Sequence, residues 1–436
     1  MTVPVAPGRW PVLGHTPALL RRRFAFTDGL RHHGDLVRMY LGGLPMYFVT
    51  NAELTHHVLV TKSANFGKGA MFDKFRPFVG NGLVNSGGAF HLRQRRLIQP
   101  AFHADRIARY TETMETAVTT MSTSWKPGEI REINEDMQAL AVTIVGEALF
   151  GTELGRSAIE EARQSIPVVI RHGMIRALSP EPVGRLMVRG NRRFDQAVTR
   201  MRAVVHGLIQ GWRAEGRDRG DLLSLLLLAH DEDGTPMTDE QVYDEVVTLL
   251  SAGIETTALA LAWLFHEIAR HPEVERRVHD EVDQVLAGRH VTFDDYAKLT
   301  YLRQVINETL RLYPIWILMR RTLEPVELGG VPIPRDTEVT VSPHALHFDP
   351  RYFPDPARFD PDRWAPERAG DIPRGAYLPF GAGNRQCVGN TFALLEMVVA
   401  AATITSRWRL ALARPLKVAY TSTAYPTRLS MRAEPR

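Results

Sequence analysis

Cys387 is the only cysteine in the 436-residue chain, and it lies in the run Phe380-Gly381-Ala382-Gly383-Asn384-Arg385-Gln386-Cys387-Val388-Gly389. A single cysteine forms no internal disulfide and builds no cysteine-rich zinc or iron–sulfur site. It can supply one thiolate to one metal. Glycines at 381, 383 and 389 let a backbone approach a flat cofactor with no Cβ atoms in the way. Backbone N–H groups beyond them can aim at the sulfur and moderate its electron donation. Phe380 would shield the sulfur from water, and Arg385 offers a fixed cation to an anionic group on the cofactor. The bland alternative is an inert, buried cysteine after a glycine-rich turn.

Three further groupings carry chemistry. Ala252-Gly253-Ile254-Glu255-Thr256 sets an acid beside an alcohol, which is what proton delivery needs. Gly253 in mid-helix costs about 1 kcal/mol relative to alanine, and the Thr256 hydroxyl competes for backbone carbonyls; a local opening of the helix is therefore expected there. Glu308 and Arg311 are three apart on one helix face. His91 and Arg95 are four apart and also share a face.

The elements that position these groups are mainly helical. Thr238 and Gln241 have capping-box spacing and open an apolar segment running to about Ala269. Within it, residues 246–265 contain a single charge, Glu255. That length suits a membrane span, but the central acid and mid-chain position favour a buried core helix. Pro272 suits the first turn of the next helix and Gly288 its C-terminal cap. Residues 301–313 form a helix stopped by Pro314, and residues 391–405 an apolar helix after the cysteine loop. Residues 36–49 read as a β-hairpin around Gly42-Gly43, and 337–341 as a strand. The fold class expected is mainly α with minor β.

The spacing F-G-x-G-x-R-x-C-x-G resembles the haem-binding loop of the cytochrome P450 family, and the resemblance extends from Pro11-Val12-Leu13-Gly14-His15 to the C-terminus. It implies the cytochrome P450 fold, a single domain over residues 1–436 around a buried haem b, with Cys387 as axial ligand to the iron. Phe380, Gly381, Gly389 and Arg385 would then be cofactor contacts. His91 and Arg95 would meet the propionates, joined by Arg320, nine positions after Arg311; Arg321 is an equally good chemical candidate. Phe353 to Trp364 resembles the family's meander, which implies a buried structural triad of Glu308, Arg311 and Arg363. Residues 252–257 match the oxygen-activation pattern, which implies that Glu255 relays protons and Thr256 holds a water. The implied activity is haem-thiolate monooxygenation with dioxygen as co-substrate. A haem-binding sensor and a non-oxygenating haem-thiolate enzyme are the competing classes.

A balance of 53 basic against 49 acidic residues gives +4, too mild to argue for nucleic acid. The N-terminus has neither a basic n-region nor an apolar h-region. A cytoplasmic protein with no stable membrane anchor is expected, with electrons arriving from a separate ferredoxin-type donor and its reductase rather than from a fused module. Segments expected to line the substrate pocket are 65–84, 166–178, 315–319 and 421–426, with Ala252 and Gly253. The run Ile315-Trp316-Ile317-Leu318-Met319 is wholly apolar and favours a compact hydrophobic substrate. The texture resembles bacterial family members that oxidise sesquiterpenes. Fatty acids and macrolide-type substrates stay open, because the facing of Arg76, Arg171 and Arg176 is not fixed by sequence.

Overall fold

The computed structural model describes residues 3–178, 188–315, 317–420 and 423–436. Trp316 and residues 421–422 of two expected pocket segments lie outside the described residues, as do the side chains of Arg171 and Arg176. The chain divides into two compact units with interleaved segments. One comprises residues 1–70, 303–387 and 418–425; the other comprises 71–302, 388–417 and 426–436. Four helices carry the groups singled out above: α1 (Gly88–Ile98), α2 (Asp239–Arg270), α3 (Thr300–Leu312) and α4 (Asn390–Thr405).

The first unit is built on a five-stranded sheet, with strands β1 (Leu36–Leu41), β2 (Leu44–Val49), β3 (Phe66–Lys68), β4 (Leu318–Thr322) and β5 (Glu338–Val341) in the order β1-β2-β5-β4-β3. The expected hairpin forms β1 and β2, turning at Gly42 with φ 59°. The β2–β5 pairing is parallel and the others are antiparallel. Val49, Val339 and Val341 are fully buried and pack with Leu59, Phe66 and Leu378. Because side chains alternate across a strand, adjacent Arg320 and Arg321 face opposite ways.

The second unit is mainly helical. Thr238 caps α2 with the expected reciprocal box: its hydroxyl accepts from Gln241 N–H, while the Gln241 side-chain Oε1 accepts from Thr238 N–H. Most of α2 is buried, as an almost uniformly apolar helix must be; the Ile133–Leu178 segment, kinked at Gly151, packs against it. Helix α2 is long and apolar enough to cross a membrane, but 67% of its most apolar stretch is buried inside the protein. Pro272 begins the next helix as expected, though its C-cap is Ala287, in the left-handed region, with Gly288 following. Three short strands, Ile130–Glu132, Ser430–Pro435 and Trp408–Leu412, make a second sheet.

Candidate functional site

The cysteine loop belongs to the first unit. The Cys387 N–H donates to the Phe380 carbonyl at 2.9 Å, closing the loop. Gly381 and Gly383 have φ of 68° and 70°, values that disfavour any side chain. A Cβ on Gly383 would also overlap the Leu59 carbonyl. These two glycines therefore shape the loop itself, rather than only clearing space for a cofactor. Gly389 has an ordinary φ and caps α4, with its nearest neighbour the Phe102 ring. Cys387 is exposed, although cysteine is among the most buried residue types.

Beside the loop, the same unit collects positive charge. Lys68 and Arg320 are directly opposite each other on β3 and β4. Burial pulls the Lys68 ammonium well below its ordinary value, and the nearby guanidinium groups of Arg320 and Arg385 lower it further. Arg320 is 5% exposed, donates to the Met319 carbonyl at 3.0 Å, and is lowered by burial to about 10. Arg321 points the other way and pairs with Glu338 at 2.6 Å. Of the two candidates, Arg320 is thus the one grouped with Lys68 and Arg385. Lys68 was missed by sequence reasoning; its cross-strand position opposite Arg320 is the signal, and it needs the sheet register to be seen.

Behind the loop, Glu308, Arg311 and Arg363 are brought together, with both members of the Glu308–Arg311 pair fully buried. The Arg311 guanidinium grips Glu308 through two bonds of 2.8 Å and donates to the carbonyls of His347 and Pro356. Glu308 also accepts from Arg363, from the Trp364 indole and from Asp360 N–H. His347 completes the assembly: its Nδ1 meets the Arg311 carbonyl at 2.9 Å and its Nε2 accepts the Leu378 N–H at 2.9 Å. With both nitrogens so used, the ring is a neutral Nδ1–H tautomer, and burial lowers it to about 3.

The second unit holds the acid–alcohol pair and the upstream cations. The expected opening of α2 is not found, since the helix runs unbroken through 252–257. The Thr256 hydroxyl donates to the Ala252 carbonyl at 2.6 Å, within the helix. Gly253 instead permits close approach of the kinked helix, because a Cβ there would sit 3.1 Å from a Val145 methyl. Glu255 is half-buried, and burial raises its carboxyl above the ordinary value. His91, 2% exposed, lies with Gln94 and Ile98 on the buried side of α1, and Arg95 is half-buried one turn beyond His91.

Of the expected pocket residues, Ile315 and Ile317 are half-buried and Leu318 packs on the sheet core. Arg76 is exposed, pairing with Asp73 at 3.4 Å and donating to the Asn85 carbonyl. Among the described residues no three His, Cys, Asp or Glu side chains gather as a metal site.

Comparison with known proteins decides the family. The cytochrome P450 model matches residues 4–422. The chain belongs to the cytochrome P450 family. It is 46% identical to cyclooctat-9-en-7-ol 5-monooxygenase of Streptomyces melanosporofaciens, over 94% of this chain and 90% of that one. It is 42% identical to cyclooctatin synthase of the same organism, covering 93% and 89%. Against pentalenene oxygenase of Streptomyces avermitilis identity is 36%, covering 99% and 97%. As a cytochrome P450 monooxygenase, the protein uses haem b, dioxygen, a small-molecule substrate and electrons from a redox partner.

The residues fit that cofactor. Lys68, Arg320 and Arg385 gather positive charge in the first unit, where the anionic propionates of haem would find cations. The Cys387 thiol, on a closed, glycine-shaped loop, would supply one thiolate to the haem iron.

Proposed function

We propose that this cytochrome P450 inserts one oxygen atom into an apolar, cyclic terpenoid, with Cys387 as the thiolate that would hold the haem iron. The carrying observation is the near full-length likeness to enzymes named for cyclooctat-9-en-7-ol and pentalenene. The described pocket candidates support it: Ile315, Ile317 and Leu318 are uncharged, and Arg76 is taken by Asp73 at the surface. A fatty acid would need a cation for its carboxylate, since an unpaired charge in an apolar site is expensive.

Haem held by a thiolate supplies dioxygen activation, the sulfur's electron donation favouring O–O cleavage. The protein's own residues do the rest. Lys68, Arg320 and Arg385, gathered in the first unit, would hold propionates. The Phe380 carbonyl holds the Cys387 N–H and so fixes the backbone that presents the sulfur. Glu255, whose proton is held more tightly because of burial, passes protons inward. Thr256 gives its own hydrogen to Ala252, which leaves its oxygen lone pairs to hold the water that delivers them. The enzyme works in the cytoplasm, taking electrons from a ferredoxin and its reductase, and arginines near the loop attract that acidic donor.

The test is titration of the haem-loaded enzyme with cyclooctat-9-en-7-ol, pentalenene and long-chain fatty acids, followed by the Soret shift. Shifts with the terpenoids and none with the acids are expected; the reverse pattern overturns the terpenoid assignment.

A further inference from the structure

The segment 80–83 is fastened to α2 by two consecutive acids that the proton path does not use. The Asn81 N–H donates to Asp244 Oδ2 at 2.8 Å, and the Leu83 N–H donates to Glu245 Oε2 at 2.8 Å. The second carboxylate oxygen of Glu245 accepts from the Gln94 amide of α1 at 2.9 Å. Gln94 is in turn held by Arg93, which also pairs with Asp231 at 2.7 Å. Glu245 is fully buried, so these donors are its replacement for water.

The glycines at 80 and 82 are demanded by the contact. A Cβ on Gly80, whose φ is 74°, would overlap the Asp244 carboxylate, and one on Gly82 would overlap the Thr248 hydroxyl. The segment is also closed on itself: Asn85 and Ser86 N–H groups both donate to the Gly82 carbonyl at 2.9 Å. Leu83 and Asn85 are thereby turned inward at 7% and 2% exposure, while Val84 between them is presented outward at 42%.

We propose that Asp244 and Glu245 are a latch for the 80–85 segment, fixing Val84 and its neighbours in the arrangement that receives substrate. Both acids are positioning residues: they act through the backbone of 81 and 83. The proposal rests on the reading that residues 65–84 face the substrate. It adds that substrate affinity is set partly from the N-terminal half of α2, away from Glu255 and Thr256. Gln94 joins the latch to the helix of His91 and Arg95, so the loop and that helix share one buried carboxylate.

Glu245→Gln keeps size but leaves one acceptor oxygen for two donors, so the Leu83 N–H must compete for it with the Gln94 amide. Asp244→Ala removes the bond to Asn81, and Asp244→Asn retains an oxygen for it. The measurements are amide hydrogen exchange at Asn81 and Leu83 in the haem-loaded protein, and Soret titration with cyclooctat-9-en-7-ol and with phenylimidazole. Losing one bond to a buried carboxylate is worth about tenfold or more in local opening. Exchange at Leu83 in Glu245→Gln, and at Asn81 in Asp244→Ala, should therefore quicken by about that factor. Dissociation constants should rise in step, with an unchanged carbon monoxide complex, and Asp244→Asn should restore both. Should Glu245→Gln fail to fold, Asp244→Ala and its asparagine rescue carry the test alone. Unchanged exchange overturns the latch, and faster exchange with unchanged affinity for either probe overturns its link to substrate. A wild-type enzyme that binds phenylimidazole but no terpenoid would refute the terpenoid assignment while leaving the latch to be judged on exchange and phenylimidazole.

Discussion

Thr256 and His347 show how a hydrogen bond selects what a side chain can do. With its hydrogen committed to Ala252 at 2.6 Å, Thr256 presents only acceptor capacity, so Thr256→Ala should retain haem and substrate binding but misplace the water. Reductant would then be diverted to hydrogen peroxide, and the ratio of product formed to reductant consumed should fall severalfold; an unchanged ratio removes Thr256 from the proton path. His347 accepts the Leu378 N–H through Nε2, and a proton added there would face that donor. Its folded value of about 3 lies below the ordinary 6.5. Between those values the unfolded chain binds a proton that the folded chain refuses, so stability is lost as pH falls through that window and is fully present above about 6.5. The span corresponds to on the order of 5 kcal/mol. The stability of His347→Gln relative to wild type should therefore improve as pH falls from about 6.5 toward 3, measured by chemical unfolding. A difference independent of pH would contradict the neutral-ring assignment.

At the scale of elements, α3 and residues 355–364 are joined by a buried cluster of charges. Glu308 accepts from Arg311, Arg363, Trp364 and Asp360 in one buried cluster. Glu308→Gln would leave two guanidinium groups buried without their counter-ion, a loss of roughly 3–5 kcal/mol. Poor haem retention and a lowered unfolding midpoint are the expected results, and near-wild-type stability would show that the cluster is not structural. The capping box of α2 and the E-x-x-R pair were legible in sequence because their partners lie within one helical turn. The Glu245 latch was not, because its Leu83 donor is 162 positions away. Gly253 was half-legible. An unusual mid-helix glycine marks a special position, but only packing reveals that it admits Val145 rather than opening the helix.

For the whole molecule, the lone cysteine and its decapeptide carried the family assignment, and the match over residues 4–422 agrees. The division into two interleaved units was not legible, because no linker composition marks a chain that passes repeatedly between them. Nor was the gathering of Lys68 with Arg320 and Arg385, which depends on strand register. The central claim is that this cytochrome P450 puts one atom of dioxygen into an apolar cyclic terpenoid. The most direct test supplies the haem-loaded enzyme with a ferredoxin, its reductase, cyclooctat-9-en-7-ol or pentalenene, and isotopically labelled dioxygen, and weighs the product by mass spectrometry. The account predicts a terpenoid product carrying one labelled oxygen atom; a terpenoid left unoxidised, or oxygen derived from water, would contradict it.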